Sequence, residues 1–188
     1  TDSIIAKENN PFNLWATRVY QGDKITLLLT VPNNELGKSI LNISTINYGV
    51  KEYGGSYFGN PGGSAECNIN VACTQGDDWE NERNAVALLL VNNGQSTCTG
   101  TLLMNTCSTN IPYVLTANHC LKGNLANWVF QYQYWSETCT PNSDWNEDIQ
   151  FNGATFRANN CELDFALVEM NQIPSTNSGI TYAGWSLE

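Results

Sequence analysis

Short apolar runs with strand-like alternation recur along most of the chain after its first quarter. In WVFQYQYW (128–135), aromatic residues fill alternate positions and Gln131 and Gln133 lie between them, which is typical of a strand with one apolar face. Runs bounded by turn residues predict strands near 84–91, 98–105, 111–117, 128–135, 149–157 and 163–170. Six short strands without a long helical pattern predict an all-β fold, an antiparallel barrel or sandwich.

The N-terminal part of the chain has the pattern of a small, separate β unit. ITLLLTV (25–31) and SILNISTINY (39–48) have strand-like composition, with a Pro-Asn-Asn turn between them. The segment 53–64, YGGSYFGNPGGS, holds five glycines in twelve residues and is typical of a linker or exposed loop, where proteases cut. We therefore expect an N-terminal β segment over 1–62 and a separate barrel domain over 63–188.

Charge and hydropathy exclude several classes of partner. The chain has 188 residues and a net charge of −10, of which residues 67–188 carry −9. Nucleic acid and anionic membrane surfaces are poor partners for such a chain. The longest apolar run is seven residues, Ala85 to Val91, whereas a membrane helix needs about 20. The start at Thr1, without a basic and apolar leader, leads us to expect that an export signal has been removed or that the chain is a shortened form.

Cysteine usage indicates an oxidising compartment. With one histidine and no CxxC pair, a zinc cluster is disfavoured, and we expect no metal site. Disulfides in a secreted or cell-surface protein are the better interpretation. Because the number of cysteines is odd, at least one thiol lacks a partner within this chain. The seven are Cys67, Cys73, Cys98, Cys107, Cys120, Cys139 and Cys161.

A lone histidine and an acid in an apolar strand are the candidate catalytic residues. His119 follows the apolar strand of YVLTANHC (113–120) and immediately precedes Cys120. LDFALVE (163–169) places Asp164 among apolar residues, where an unpaired buried carboxylate is costly. Asp164 either caps a turn before the strand or accepts the Nδ1–H of His119, which would fix the imidazole tautomer and stabilise the imidazolium.

The segments around His119 and Asp164, together with three others, resemble the N-terminal half of chymotrypsin-fold serine endopeptidases and occur in the same order. More narrowly, they resemble the secreted bacterial lysyl endopeptidases. The resemblance covers about residues 64–188 and implies a secreted serine endopeptidase that acts on peptide or protein substrates without a cofactor. It assigns His119 as general base and Asp164 as its orienting acid. The matching segments are CNINVAC (67–73) with Gly76-Asp77, CTGTL (98–102), LTANHC (115–120), DFALVE (164–169) and YAGW (182–185).

The nucleophile segment of that family, G-x-S-G-[GS]-P, has no counterpart here. The 122 residues from Cys67 to Glu188 suffice for one barrel, whereas the family fold has two barrels with the active site between them. We therefore expect this chain to contain the first of two chymotrypsin-like barrels and to be inactive alone. The C-terminal barrel then comes from the rest of the polypeptide or from another chain. The only serines after Asp164 are Ser175, Ser178 and Ser186, and none has the family setting.

Disulfide pairing follows from the resemblance alone, since six cysteines allow 15 connectivities. The family pattern leaves Cys67 unpaired here, because its partner belongs to the second barrel. The expected pairs are Cys98–Cys120, Cys73–Cys139 and, as the remaining choice, Cys107–Cys161.

Two questions stay open at this point. Residues 1–62 are either a propeptide that is cut in the glycine-rich stretch, which we favour, or an accessory module that stays attached. The whole protein is either an endopeptidase, with a Lys or Arg preference that its acidic charge would suit, or an inactive protease-like scaffold for binding at the cell surface. A disulfide-rich β module unrelated to proteases is a third, weaker alternative.

Overall fold

The computed structural model describes residues 14–20, 22–47, 67–107, 109–140 and 149–186. Its strands are β1 (Val86–Val91), β2 (Ser96–Leu103), β3 (Tyr113–Thr116), β4 (Val129–Tyr132), β5 (Gln150–Asn152), β6 (Ala154–Asn160) and β7 (Phe165–Met170). They form one sheet in the order β5-β4-β1-β2-β3-β7-β6, and every neighbouring pair is antiparallel. The helices are α1 (Glu80–Asn84) and the 3-10 turns Asn33–Glu35, Thr74–Trp79, Asn118–Cys120 and Leu125–Asn127. The expected all-β, chymotrypsin-like class is confirmed.

The sheet curls so that its two edge strands meet at Gly153. Strands β5 and β6 lie at opposite edges of the sheet, although this single residue separates them in sequence. Gly153 has φ +74°, and a Cβ there would lie 2.5 Å from Nδ2 of Asn171, so the bend suits glycine. Its N–H donates to the carbonyl of Trp128 at 2.8 Å, and its carbonyl accepts from the N–H of Asn171 at 3.0 Å. The single strand predicted over 149–157 is therefore two strands joined at a sharp corner.

Alternation along the strands fills the interior of the curled sheet. In β7, Ala166, Val168 and Met170 are buried, and the two residues between them are partly exposed. Burial of each large apolar side chain contributes about 1.5–3 kcal/mol to stability. The core consists of Ala87, Leu89, Val91, Leu102, Val114, Trp128, Phe130, Tyr132, Ala154, Val168 and Met170.

The aromatic strand is shorter and more deeply buried than its sequence pattern predicts. Trp128, Phe130 and Tyr132 lie in the core, as the alternation indicates. Gln131, expected on a polar face, is only 1% exposed, because β4 is covered on both sides. The strand ends at Tyr132, and Gln133 adopts a positive φ of 55°, which interrupts the alternation before Trp135.

The strand pair predicted near 25–31 and 39–48 is wrong for the described part of these ranges. Residues 25–31 and 39–47 contain no strand, and apolar side chains such as Leu28 (89% exposed) and Ile40 (91% exposed) face solvent. Strand-like composition is insufficient here, because two strands without a third element or a covering layer bury too little apolar surface to be stable.

Residues 14–20 lie against the barrel rather than apart from it. The N–H of Val19 donates to Oε1 of Gln150 at 2.9 Å, and Trp15 borders the same cavity as Met170. The glycine-rich stretch 53–64 falls outside the described residues, so the boundary between the two predicted domains stays a prediction. In the described part of the chain, no helix is long and apolar enough to cross a membrane.

Candidate active site

His119 lies on a short turn directly after β3. The chain is extended at Ala117 and then forms the 3-10 turn Asn118–Cys120, in which the N–H of Cys120 donates to the carbonyl of Ala117 at 3.1 Å. Cys120 is buried and joined to Cys98 of β2 by a disulfide. The histidine is thus held between a paired strand and a covalent link, while its own side chain is 67% exposed.

Asp164 ends the tight turn between β6 and β7. The side-chain oxygen of Asn160 accepts the N–H groups of Glu162 and Leu163, each at 2.9 Å, which is how asparagine typically closes a turn. Asp164 has a positive φ of 50°, a conformation that Asp tolerates better than most residues. The expected position inside an apolar strand is wrong: Asp164 precedes β7, and its side chain is 50% exposed.

His119 and Asp164 are in direct contact. Oδ2 of Asp164 lies 2.7 Å from Nδ1 of His119, and Oδ1 accepts the backbone N–H of the same histidine at 2.9 Å. A further bond runs from the N–H of Asn118 to the carbonyl of Asp164, at 3.2 Å. Both interpretations of Asp164 therefore hold together, since the residue completes a turn and also binds the imidazole.

The contact with the histidine lowers the pKa of the Asp164 carboxyl group. The main cause is the side-chain hydrogen bond from His119, followed by the backbone hydrogen bond from the same residue. Both bonds favour the ionised carboxylate, which is the form that can orient an imidazole and stabilise its cation.

Two disulfides stabilise the barrel. Cys73 is bonded to Cys139 and Cys98 to Cys120, with sequence separations of 66 and 22 residues. Both pairs are those that the family pattern implies. Cys67 is a free, exposed thiol.

The expected Cys107–Cys161 pair is wrong, because both thiols are free and exposed. Cys107 lies in the loop between β2 and β3, beside the Tyr113 end of β3. Cys161 lies in the turn between β6 and β7, beside the Thr116 end of β3. The length of β3, about 3.3 Å per residue, separates them, whereas a disulfide requires Cα atoms within about 7 Å.

His119 belongs to a three-residue cluster whose side chains carry atoms of the kind that bind metals. Ligand atoms of Cys98, His119 and Cys120 lie within 4.8 Å of one another. The two sulfurs are bonded to each other, so neither is a thiolate that could bind zinc. The structure thus gives this cluster a structural role, bracing the histidine turn.

None of the three serines that follow Asp164 is brought to the His119–Asp164 pair by its position in the fold. Ser178 Oγ donates to the carbonyl of Ser175 at 2.6 Å, in a turn after β7. The chain then returns along the far end of β3: Ala183 forms a bridge with Leu103, and Trp185 Nε1 donates to the carbonyl of Met104 at 2.9 Å. This end of the strand is opposite to the one that leads into His119.

Two asparagines that support the pair were missed in the sequence. Asn160 shapes the turn that ends at Asp164, and Asn159 donates from Nδ2 to Oδ1 of Asn118 at 2.6 Å. An Asn four residues before an acid at a strand start is a recognisable turn signal. The contact between Asn159 and Asn118 has no such signal, because it joins residues 41 positions apart.

Comparisons with known proteins match most of the chain to one family. A family model described as "Lysyl endopeptidase, C-terminal domain" matches residues 61–188. A lysyl endopeptidase from Pseudomonas aeruginosa is 27% identical over 192 aligned residues, which cover 95% of this chain and 40% of that protein. The chain thus spans about two fifths of the length of this curated relative.

Proposed function

The chain belongs to the lysyl endopeptidase C-terminal domain family, and from this membership we propose that it is the His- and Asp-bearing part of a secreted serine endopeptidase. In this proposal His119 is the general base and Asp164 its orienting acid. The reaction is peptide-bond hydrolysis through an acyl-enzyme.

One observation supports the proposal above the others, the contact between Asp164 Oδ2 and His119 Nδ1 at 2.7 Å. With the proton held at Nδ1, the other ring nitrogen, Nε2, is an acceptor. The imidazole is largely exposed, so a hydroxyl group can reach that nitrogen. Histidine suits the role because its unperturbed pKa, about 6.5, lies near operating pH.

The nucleophile in this proposal is a serine outside these 188 residues, supplied by the rest of the polypeptide or by another chain together with the second barrel. His119 Nε2 takes the Oγ proton as that oxygen attacks the scissile carbonyl carbon, and gives it to the leaving amine as the C–N bond breaks. Water then attacks the acyl-enzyme with the same base, and the serine regains its proton. The oxyanion hole and the specificity pocket belong to the same missing part.

Three further features of the whole protein belong to the proposal. The disulfides Cys73–Cys139 and Cys98–Cys120 persist in oxidising surroundings, which supports an extracytoplasmic location. The charge of −9 on residues 67–188 attracts basic peptides and so suits cleavage after Lys or Arg. The N-terminal segment, 1–62, is a propeptide removed by cleavage in the glycine-rich stretch.

Steady-state hydrolysis of peptide anilides by the complete protein tests the function. A panel with Lys, Arg, Glu or Leu before the scissile bond gives the specificity. We expect His119→Ala to abolish turnover and Asp164→Asn to lower kcat by roughly 10⁴, as the corresponding change does in another serine protease. Glu169→Gln is the matched control, since it neutralises an acid on the same hairpin that pairs instead with Arg157. Near-wild-type turnover in either of the first two variants would contradict these roles.

The alternative is a catalytically inactive protease-like scaffold with a binding role. The same assay separates the two functions: a complete protein that hydrolyses none of the four substrates supports the scaffold. Retention of both His119 and Asp164 in contact supports the enzyme, because binding alone requires neither.

A further inference from the structure

A hydrogen bond between two asparagines joins the histidine turn to the far side of the aspartate hairpin. Asn159 lies on β6 opposite Ala166 of β7, and Ala166 lies opposite Thr116 at the end of β3. From β6, Nδ2 of Asn159 donates to Oδ1 of Asn118 at 2.6 Å. We call this bond the Asn118–Asn159 latch. Because Asn118 directly precedes His119, the latch reaches across β7 and joins the histidine turn to β6.

We propose that Asn159 is a positioning residue for His119 and acts through Asn118. Asn118 is held at both its backbone and its side chain: its N–H donates to the carbonyl of Asp164 at 3.2 Å, and its side-chain oxygen accepts from Asn159. The latch therefore fixes the peptide that enters His119 relative to the hairpin that ends in Asp164. Its consequence for turnover rests on the proposed function, whereas its effect on the His–Asp contact does not.

Strand β3 and the Cys98–Cys120 disulfide hold the two ends of the histidine turn. The turn is three residues long, and the exposed His119 ring has little packing to hold it. On the far side the disulfide at Cys120 fixes the turn to β2, but it does not fix the turn to the hairpin that carries Asp164. In the described residues, the histidine turn is hydrogen-bonded to the β6–β7 hairpin through Asp164 and through the latch.

Nuclear magnetic resonance on the 188-residue chain tests the latch, because His119 is the only histidine and its ring signals need no assignment. The exchange rate of the Nδ1 proton reports how often the bond to Asp164 opens. Loss of one hydrogen bond shifts such an equilibrium by about twofold to tenfold. We expect Asn159→Ala and Asn118→Ala each to speed the exchange by that factor. The double variant should be no faster than the more affected single variant, because both remove the same contact.

Asn105→Ala is the matched control. The side-chain oxygen of Asn105 accepts the N–H of Thr109 at 3.0 Å in the β2–β3 loop, at the end of β3 away from His119. This variant also loses an exposed asparagine hydrogen bond, but it should leave the exchange of the His119 Nδ1 proton unchanged. Asn118→Asp keeps the acceptor oxygen for Asn159, so its exchange should be slower than that of Asn118→Ala.

Unchanged exchange in a folded Asn159→Ala chain would overturn the latch. Where that variant does not fold, equal rates in Asn118→Asp and Asn118→Ala would overturn it instead. In the complete protein, the latch predicts that Asn159→Ala lowers kcat about twofold to tenfold with KM unchanged. A complete protein without any hydrolysis would contradict the proposed function but leave the exchange result standing, so the two failures are distinguishable.

Discussion

Thr116 and Ala166 face each other across β3 and β7, and this pairing sets the distance between the two groups of the candidate site. His119 follows Thr116 by three residues, and Asp164 precedes Ala166 by two. A shift of either strand by one residue would turn each side chain of that strand to the opposite face and separate the imidazole from the carboxylate. The sheet register is therefore what makes the contact possible.

Thr116 also anchors the end of β3 through its side chain. Its hydroxyl is almost buried and donates to the carbonyl of Thr99 on β2 at 2.8 Å. Thr116→Val keeps the shape but loses this bond, so we expect the free energy of unfolding to fall by about 0.5–1.5 kcal/mol. Urea denaturation measures the change, and a variant as stable as the parent chain would show that the bond has no net effect.

The acid sensitivity of the fold should reflect Asp164. Its pKa is lowered in the folded chain, mainly by the side-chain hydrogen bond from His119. The contact therefore contributes to stability above the usual carboxyl pKa of about 3.9, and this contribution is lost as the pH falls from there through the lowered value. Asp164→Asn removes this part of the pH dependence. Denaturation midpoints of both chains between pH 7 and pH 2 should converge at the acid end, and parallel curves would contradict the assignment.

The two disulfides should differ in their contributions to stability. In the chain-entropy model, closing 22 residues between Cys98 and Cys120 contributes about 3 kcal/mol, and closing 66 residues between Cys73 and Cys139 about 4 kcal/mol. Replacing each pair by alanines and comparing unfolding free energies tests this. Removal of the shorter link should also speed exchange of the His119 Nδ1 proton, whereas removal of the longer one should not.

Three thiols should react in the native chain. Cys67, Cys107 and Cys161 are free and exposed, and all seven cysteines lie among the described residues. Titration with Ellman's reagent under native conditions should count three thiols per chain, and Cys107→Ser with Cys161→Ser should leave the melting temperature unchanged. A count of one, with a large loss of stability in the double variant, would restore the disulfide that the structure lacks.

The sequence predicts the candidate pair, His119 and Asp164, better than its surroundings. His119 and Asp164 stand out because each follows or precedes an apolar strand, and local patterns show this. Asn159 does not stand out, because a polar residue at a strand end is equally typical of a solvated surface. Its role depends on β6, β7 and β3 lying side by side, which is a property of the whole sheet.

Other differences have similar physical causes. The bend at Gly153 divides one apparent strand into two. The alternation of apolar and polar residues continues across the bend, because the bend is needed only for the sheet to close. Strand-like composition does not show whether another element covers the segment 25–31, and in the structure this segment is exposed. Cys107 and Cys161 are expected to pair only because the family pattern leaves them over, and their spacing in the sequence does not show the length of β3 that separates them.

Labelling of the complete protein with a fluorophosphonate tests whether His119 activates a serine there, as we propose. This reagent phosphonylates a serine whose hydroxyl is deprotonated by an adjacent base. Intact-protein mass spectrometry should show one adduct in the wild-type protein, at a serine outside residues 1–188, and none in His119→Ala. No adduct in the wild-type protein, or equal labelling of both proteins, would contradict the assignment of His119 as the general base.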